Sequence, residues 1–402
     1  MPDTAAPVAV SAAPSSPDDR IATLDILRGF ALFGMIFIHF HQFFRESTPD
    51  VGRPFGEELI GNIAWIGIEE KAWGTFAFLF GVGFAVLMRR ADKRGQPVVA
   101  FYLRRIAALT VIALALDLFT GFTVLLDYAM WGVPLVFIRK WPSTLLLAIA
   151  VISAGAWAIE PFGAGLQRWA TLGREGADRA VAAMVRPARR PRPAPPTNYR
   201  EFVGNRASWL KYRYSNWRAF LPTSSFTLMV IGFLALRHGI FDKPRQHLRA
   251  IGTFMTIGFV SWAVSWWGLP YLPVGYAPID VGRLMKTGLG VVSEQWLALT
   301  YIGAMVLLLA YRPQWTQRFA FMGIAGRMAL TNYVLQCVVV FALSSPVVFG
   351  LHLRPYYYTI GAILLFGVTV LLSKAWMSRF RYGPFEWLWR SATYLQVPQF
   401  RR

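Results

Sequence analysis

Apolar runs long enough to cross a lipid bilayer recur along the whole chain. About ten such runs alternate with short polar segments, and their lengths of roughly 17 to 25 residues suit helices that cross about 30 Å of hydrocarbon. The residue alternation of a membrane barrel is absent, and a sheet with unpaired edges is not stable in lipid. The sequence therefore predicts an all-α fold, a polytopic membrane helix bundle of about ten transmembrane helices.

Short clusters of basic residues separate many of these runs and predict their orientation. One cluster, Arg89, Arg90, Lys93 and Arg94, follows the second run. Because basic residues mark cytoplasmic loops, the first run is expected to lead outward. Both chain termini are therefore predicted to lie in the cytoplasm.

Composition divides the chain into five segments. Residues 1–20 are rich in Ala, Pro and Ser and lack the apolar core of a signal peptide, so they predict a disordered cytoplasmic tail. Residues 21–160 and 219–376 are two membrane segments, 161–218 is an Arg/Pro-rich loop with an interfacial helix, and 377–402 is an interfacial cytoplasmic tail. Simple alternation of the runs puts the loop outside, although its many arginines leave its side open.

The overall composition indicates a membrane protein. Of 402 residues, 55% are hydrophobic and only 15% are charged, which is too apolar for a soluble domain of this size. The 41 Lys and Arg against 21 Asp and Glu give a net charge of +20. Because the basic residues lie in loop clusters, the expected partner is the lipid bilayer and no nucleic acid. The single cysteine, Cys337, has no partner for a disulfide, and no metal site is predicted.

The candidate chemistry concentrates in the first run, Arg20 to Phe44. Arg28 and His39 are eleven residues apart, which is roughly 16 Å and nearly one face of a helix, and Asp25 shares that face. His39 is the candidate catalytic residue, because an imidazole titrates near neutrality and can act as a general base. His41 points away and is expected at the interface. A histidine bonded to a backbone carbonyl and an arginine that anchors the helix explain the same residues structurally.

A second polar group lies in the ninth run, which is expected to form one helix from Gly326 to about Val348. Asn332 and Gln336 are one turn apart in it, with Arg327 and Thr331 on the adjacent stripe. These side chains either line a substrate cavity or, the more common case, bond neighbouring helices.

The tail after the tenth run is basic and aromatic, and it predicts a helix along the inner interface. Glu386 and Arg390 are spaced i,i+4 and are expected to support that helix as a pair. No Gly-rich phosphate loop or nucleophile elbow occurs. The stripe through Asp25, Arg28 and His39 is therefore the main candidate site.

Four motifs resemble those of the YeiB-like bacterial membrane proteins, also called domain of unknown function 418. They are LDILRGFALFGMIFI, FLFGVGFAVL, GRMALTNYVLQ and YGPFEWLWRSATY, in the order expected of that family. The first motif is also similar to that of the acyltransferase type 3 membrane proteins and of heparan glucosaminide acetyltransferase. In the type 3 enzymes a functional histidine follows the motif after nine residues, and here nine residues separate Gly29 from His39. Many YeiB-like proteins have asparagine at that position.

The resemblance implies a transmembrane acyltransferase-like fold and activity in the bacterial cytoplasmic (inner) membrane. Acyl-CoA would be the co-substrate, without a tightly bound cofactor, and its phosphates would meet Arg28. His39 would deprotonate a hydroxyl or amine of a small-molecule or glycan acceptor, such as an envelope sugar. Self-association into a homo-oligomer stays open. The predicted substrate- and donor-binding residues are Asp25, Arg28, Arg327, Thr331, Asn332 and Gln336.

Two other classes of function fit the same pattern. A transporter or flippase would use an intramembrane His, Asp and Arg as a proton relay, although no second copy of the LDILRG stretch indicates an inverted repeat. A membrane scaffold or sensor would need no functional polar stripe.

Overall fold

The structure is a computed structural model. It describes residues 22–45, 67–93, 98–122, 124–156, 195–220, 224–264 and 281–402, with a few isolated positions between them. The predicted tail at residues 1–20 and the Pro/Arg segment of the 161–218 loop lie outside the described residues. The five-segment division of the chain stays a prediction.

The described chain is helical, which confirms the predicted all-α class. Its one pair of bridged residues, Phe380 and Arg401, is isolated, and no named strand occurs in the described ranges. Two short 3₁₀ turns lie at Trp217–Phe220 and Pro244–His247. The helices are α1 Ala22–Arg45, α2 Glu69–Lys93, α3 Val98–Thr120, α4 Val124–Ile138, α5 Ser143–Ala156, α6 Tyr199–Ser215, α7 Ser224–Arg237, α8 Leu248–Ala263, α9 Val281–Tyr311, α10 Gln314–Arg318, α11 Ala320–Arg327, α12 Ala329–Ser344, α13 Pro355–Arg379 and α14 Pro384–Tyr394.

Fewer helices than expected are long enough to cross a membrane. Within the described residues, α1, α2, α3 and α13 are long and apolar enough, and a fifth span results if α11 and α12 count as one. Several other apolar helices are shorter: α4 has 15 residues and α7 has 14, or about 21 to 23 Å at 1.5 Å per residue, against about 30 Å of hydrocarbon. The protein has a membrane-type architecture, and the prediction of about ten spans is not confirmed.

Arginines from several helices lie at one end of the bundle, which we call the basic end. Arg89 near the end of α2 pairs with Asp242 in the turn after α7, at 2.6 Å. Trp389 of α14 donates its indole N–H to the carbonyl oxygen of Arg105, near the start of α3. The long helices therefore run between this end and an opposite one, as the alternating runs predict.

Helix α6 covers the opposite end of the bundle, which we call the far end. Arg206 of α6 pairs with Asp117 near the end of α3, and Arg213 pairs with Asp127 at the start of α4, at 2.8 Å. The ring of Phe202 packs 4.8 Å from that of Phe341, near the end of α12. Part of the 161–218 loop, Tyr199–Ser215, is therefore a helix that packs on this end, and the side of the membrane on which the loop lies stays a prediction.

The ninth run does not form the single helix that was expected. It breaks at Met328, where α11 and α12 meet at an angle of 84°. Arg327 ends α11, whereas Thr331 lies in the first turn of α12. The prediction that both residues share one helical stripe is therefore wrong.

Two glycines let α11 lie directly against the backbone of α1. A Cβ atom added at Gly29 would overlap the carbonyl oxygen of Met322, and one added at Gly326 would overlap that of Asp25. Gly29 belongs to the LDILRG motif and Gly326 to the GRMALTN motif. The two motifs are therefore the two sides of one contact, and this contact holds Asp25 and Arg28 close to the break.

We expect Gly29→Ala to destabilise the fold, because its methyl group would force α1 and α11 apart. Overpacking of this kind costs about 1 to 3 kcal/mol, which would lower the thermal midpoint of the purified protein. The matched control is Gly323→Ala, whose added carbon would lie at an ordinary 3.6 Å from Ile26. An unchanged midpoint for Gly29→Ala would show that the close contact is not needed.

Candidate functional site

A cavity of about 360 Å³ lies between α1, α2, α3, α4, α11, α12 and α14. Its wall includes three of the predicted site residues, Asp25, Arg28 and Arg327. The other four, His39, Thr331, Asn332 and Gln336, do not belong to its lining. The structure thus brings the inner part of the predicted stripe into a cavity and places His39 beyond its wall.

The cavity wall is strongly basic. It contains six arginines and two carboxylates, an excess of four positive charges. Arginine binds phosphate and carboxylate groups through several parallel N–H donors. An anionic ligand is therefore electrostatically favoured at the basic end. The charged lining residues are Arg28, Arg89, Arg90, Arg105, Arg327, Arg390, Asp25 and Glu386.

Both carboxylates of the wall already accept hydrogen bonds from other groups of the protein. Asp25 accepts a hydrogen bond from Arg28 at 2.6 Å, one turn away on α1. Glu386 accepts hydrogen bonds from the backbone N–H groups of Leu330 at 2.6 Å and Thr331 at 3.1 Å, and from the Thr331 hydroxyl. The Asp25–Arg28 ion pair has the i,i+3 spacing that places two residues on the same face of a helix.

Glu386 caps α12 rather than supporting its own helix. The first N–H groups of a helix lack partners within it, and this carboxylate supplies one at the break. In return the backbone N–H of Phe385 donates to the Thr331 hydroxyl at 3.1 Å. The expected pairing with Arg390 is replaced by these bonds. Burial raises the pKa of the Glu386 carboxyl, while the bonds from Thr331 and Leu330 oppose that shift.

Two arginines that sequence reasoning did not select line the cavity, Arg105 of α3 and Arg390 of α14. The Arg105 guanidinium lies 3.6 Å from the ring centre of Trp389, and that of Arg390 lies 4.6 Å from the ring centre of Tyr382. Such cation–aromatic contacts orient an arginine without neutralising it. The sequence contains one signal that could have identified Arg105: it lies inside an apolar run, where a charged residue is energetically costly.

Away from the arginines the cavity becomes apolar. On α2 the wall runs from Arg90 to Phe76, which is 14 residues or about 21 Å of helix rise. Two tyrosines of the wall turn their hydroxyls into the protein: Tyr102 donates to the Gly132 carbonyl at 3.0 Å and Tyr128 to that of Trp73 at 2.6 Å. The site therefore combines a basic mouth with a long apolar interior.

His39 lies just behind the cavity wall. Its side chain is 2% exposed, and its ring centre is 4.3 Å from that of Phe122 and 5.7 Å from that of Tyr333. Tyr333 also lines the cavity. The Nδ1 atom of His39 has no hydrogen-bond partner among the described residues. Tyr333 is thus the residue that connects the cavity to the imidazole, and sequence spacing gave no signal for it.

His41 faces a different neighbour. Its ring stacks 5.4 Å from that of Phe37, and its Nε2 atom lies 3.4 Å from the hydroxyl of Thr359 on α13. These contacts show that His41 points away from His39 as expected, and its side chain is buried, 8% exposed.

The two amides of α12 have different surroundings. Asn332 donates at 2.9 Å both to the Ala325 carbonyl and to the Ser373 hydroxyl, so it joins the two sides of the break to α13. Gln336 is fully buried, and both polar atoms of its amide lack partners among the described residues. Asn332 therefore has the structural role that is common for such amides, whereas Gln336 keeps unused hydrogen-bonding capacity.

Comparison with known proteins divides the chain into two matched parts. A family profile described as "Protein of unknown function (DUF418)" matches residues 235–396. A second, described as "Heparan-alpha-glucosaminide N-acetyltransferase, catalytic", matches residues 20–173. The Bacillus subtilis protein YxaH is 27% identical over 95% of this chain and 96% of its own length. The Escherichia coli protein YeiB is 25% identical over 93% of this chain and 96% of its own length.

The two profiles and the two relatives together support assignment to the YeiB-like DUF418 family. This family is related to the acyltransferase-like membrane proteins, as the match over residues 20–173 indicates. That match contains the Asp25, Arg28 and His39 stripe, whereas the DUF418 match contains the bent α11–α12 pair and Glu386. The cavity is built from both matched parts of the YeiB-like chain.

We expect Glu386→Ala to destabilise the protein strongly, because it leaves buried N–H groups at the start of α12 without an acceptor. Buried unsatisfied donors of this kind cost about 2 to 3 kcal/mol. Differential scanning calorimetry of the purified protein would detect this loss as a lower thermal unfolding midpoint.

Glu201→Ala is the matched control for this prediction. Glu201 also bonds a backbone N–H, that of Thr197 at 2.7 Å, but it is exposed on α6. In Glu201→Ala, water replaces the lost hydrogen bond, so the thermal midpoint of this variant should hardly change. Equal effects of the two variants would contradict the assigned role of Glu386.

Proposed function

We propose that this YeiB-like protein is a membrane acyltransferase that moves an acyl group from acyl-CoA to a hydroxyl or amine of an envelope sugar or similar acceptor. The observation that carries the proposal is the cavity itself. It begins among arginines at the basic end and reaches Tyr333, whose ring contacts His39. The acetyltransferase profile over residues 20–173 supports the same reaction class.

The basic mouth suits the phosphates of the donor. Arg28, Arg105 and Arg390 come from three separate helices and share one wall, so their charges converge from different directions. Charge-assisted hydrogen bonds of this kind are the strong ones. Positive residues favour the cytoplasmic side of the bacterial inner membrane, which is where acyl-CoA is made. The proposal therefore places the basic end and both termini in the cytoplasm.

The apolar interior suits the chain that carries the thioester. With its phosphates at the mouth, the donor would extend along α2 toward Phe76 and bring the thioester carbonyl to the Tyr333 wall. A site from which water is largely excluded also protects a thioester from hydrolysis.

His39 is the proposed general base. The acceptor oxygen or nitrogen attacks the thioester carbonyl carbon while His39 takes its proton, and the carbon–sulfur bond then breaks. The proton passes to the departing sulfur, so the products are the acylated acceptor and free CoA thiol. The acceptor would arrive from the far end, and the unused amide of Gln336 would help to orient it.

The direct test is thiol release from acetyl-CoA by the purified protein, with glucosamine as the acceptor probe. We expect His39→Gln to lower the rate about 100-fold or more, the usual contribution of a general base, while acetyl-CoA binding persists. His41→Gln is the matched control, because His41 is also buried on α1 but faces α13. Acetyl-CoA binding without thiol release for any hydroxyl or amine acceptor would contradict the transferase.

A second test addresses the donor phosphates. We expect Arg105→Gln to weaken acetyl-CoA binding about tenfold, since it removes charge-assisted hydrogen bonds, and the loss should shrink at high salt. The neighbouring Arg104 is exposed and does not line the cavity, so Arg104→Gln should bind like the wild type. Equal weakening in both variants, measured by calorimetry, would argue against a specific phosphate site.

A further inference from the structure

The cavity-facing stripe of α2 contains one residue without a side chain. Phe76, Gly83 and Arg90 are spaced seven apart, which puts them on nearly the same face, and all three line the cavity. Gly83 lies about 10 Å from either end of this stripe. It therefore marks the midpoint between the basic mouth and the apolar interior.

Gly83 is not needed for helix packing. A Cβ atom added there would meet no heavy atom within 4 Å. The nearby Gly81 is different, because a Cβ atom there would overlap the Met229 carbonyl of α7. Glycine in the middle of a helix is less stable than alanine. At Gly81 close packing explains the residue, whereas at Gly83 the adjoining space is open cavity.

We propose that Gly83 is a specificity-determining residue that keeps the passage open for the narrow arm of the donor. The inference rests on the proposed acyl-CoA donor. The arm between the diphosphate and the thioester sulfur contains about 14 bonds, or about 17 Å when extended. An arm anchored by arginines near Arg90 must pass Gly83 to bring the thioester to the Tyr333 wall. A larger side chain at position 83 would therefore block delivery of the thioester and leave binding of the phosphates intact.

The first experiment compares two ligands on the purified full-length protein. Adenosine 3′,5′-bisphosphate carries phosphates without the arm, and acetyl-CoA carries both. We expect Gly83→Leu to bind the bisphosphate like the wild type but to release thiol from acetyl-CoA about 100-fold more slowly, the scale of loss when a reacting group is misplaced. Gly83→Ala should have a small effect.

Gly367→Leu is the matched control. Gly367 also lies inside a long helix, α13, and a Cβ atom there meets nothing within 4 Å, but it is exposed and lies outside the cavity wall. Both leucine variants replace a helical glycine by a better helix former, so neither should lower the thermal midpoint.

A second measurement detects the arm directly and does not depend on a bulky variant. In Gly83→Cys the new thiol should react with a small methanethiosulfonate, whereas the buried Cys337 should not. Acetyl-CoA should protect the new thiol and adenosine 3′,5′-bisphosphate should not, because only the former places an arm at Gly83.

The outcomes separate this inference from the proposed function. If wild type binds acetyl-CoA and releases thiol, but Gly83→Leu does so equally well or Gly83→Cys gains no protection, the role of Gly83 is wrong and the transferase stands. If wild type neither binds acetyl-CoA nor releases its thiol, the transferase is wrong and the role of Gly83 falls with it.

Discussion

A helix that breaks inside a bundle exposes backbone N–H groups, and in low-dielectric surroundings these need a protein partner. In this YeiB-like protein the partner is the Glu386 carboxylate, which receives the N–H groups of Leu330 and Thr331. Because Glu386 belongs to α14, the cap also fixes the last helix against α12. The cap lies at the 84° bend, and it joins α14 at the basic end to the start of α12, next to α11 on the glycine face of α1.

The same cap sets the electrostatics of the cavity. Glu386 is held by backbone donors and Asp25 by Arg28, so neither carboxylate is arranged to neutralise Arg105 of α3 or Arg390 of α14. Arg89 of α2 already pairs with Asp242, outside the cavity wall. Positive charge in a partly enclosed site is costly unless an anion balances it. A basic mouth that continues into an apolar interior favours an anion with a slender chain attached, and this links the fold to the proposed donor.

Local patterns predicted much of this structure but not the parts that depend on distant contacts. The lengths of the apolar runs were sufficient for the all-α class, and helical spacing for the Asp25–Arg28 pair. The residues from Arg327 to Leu330 favour helix, and the carboxylate that stabilises the break at Met328 is more than 50 residues away, so the only local signal is the preceding Gly326. The count of about ten spans that hydropathy predicts is not confirmed, because several apolar helices among the described residues, such as α4 and α7, have only 14 or 15 residues. Tyr333 and Arg390 reach the cavity only through tertiary packing.

The most direct test of the account is a structure of the protein with a non-cleavable thioether analogue of acetyl-CoA. The account predicts phosphate density among Arg28, Arg105 and Arg390, an arm that runs past Gly83 and a thioether beside Tyr333. Analogue density elsewhere on the molecule, or a head group at the far end under α6, would contradict it.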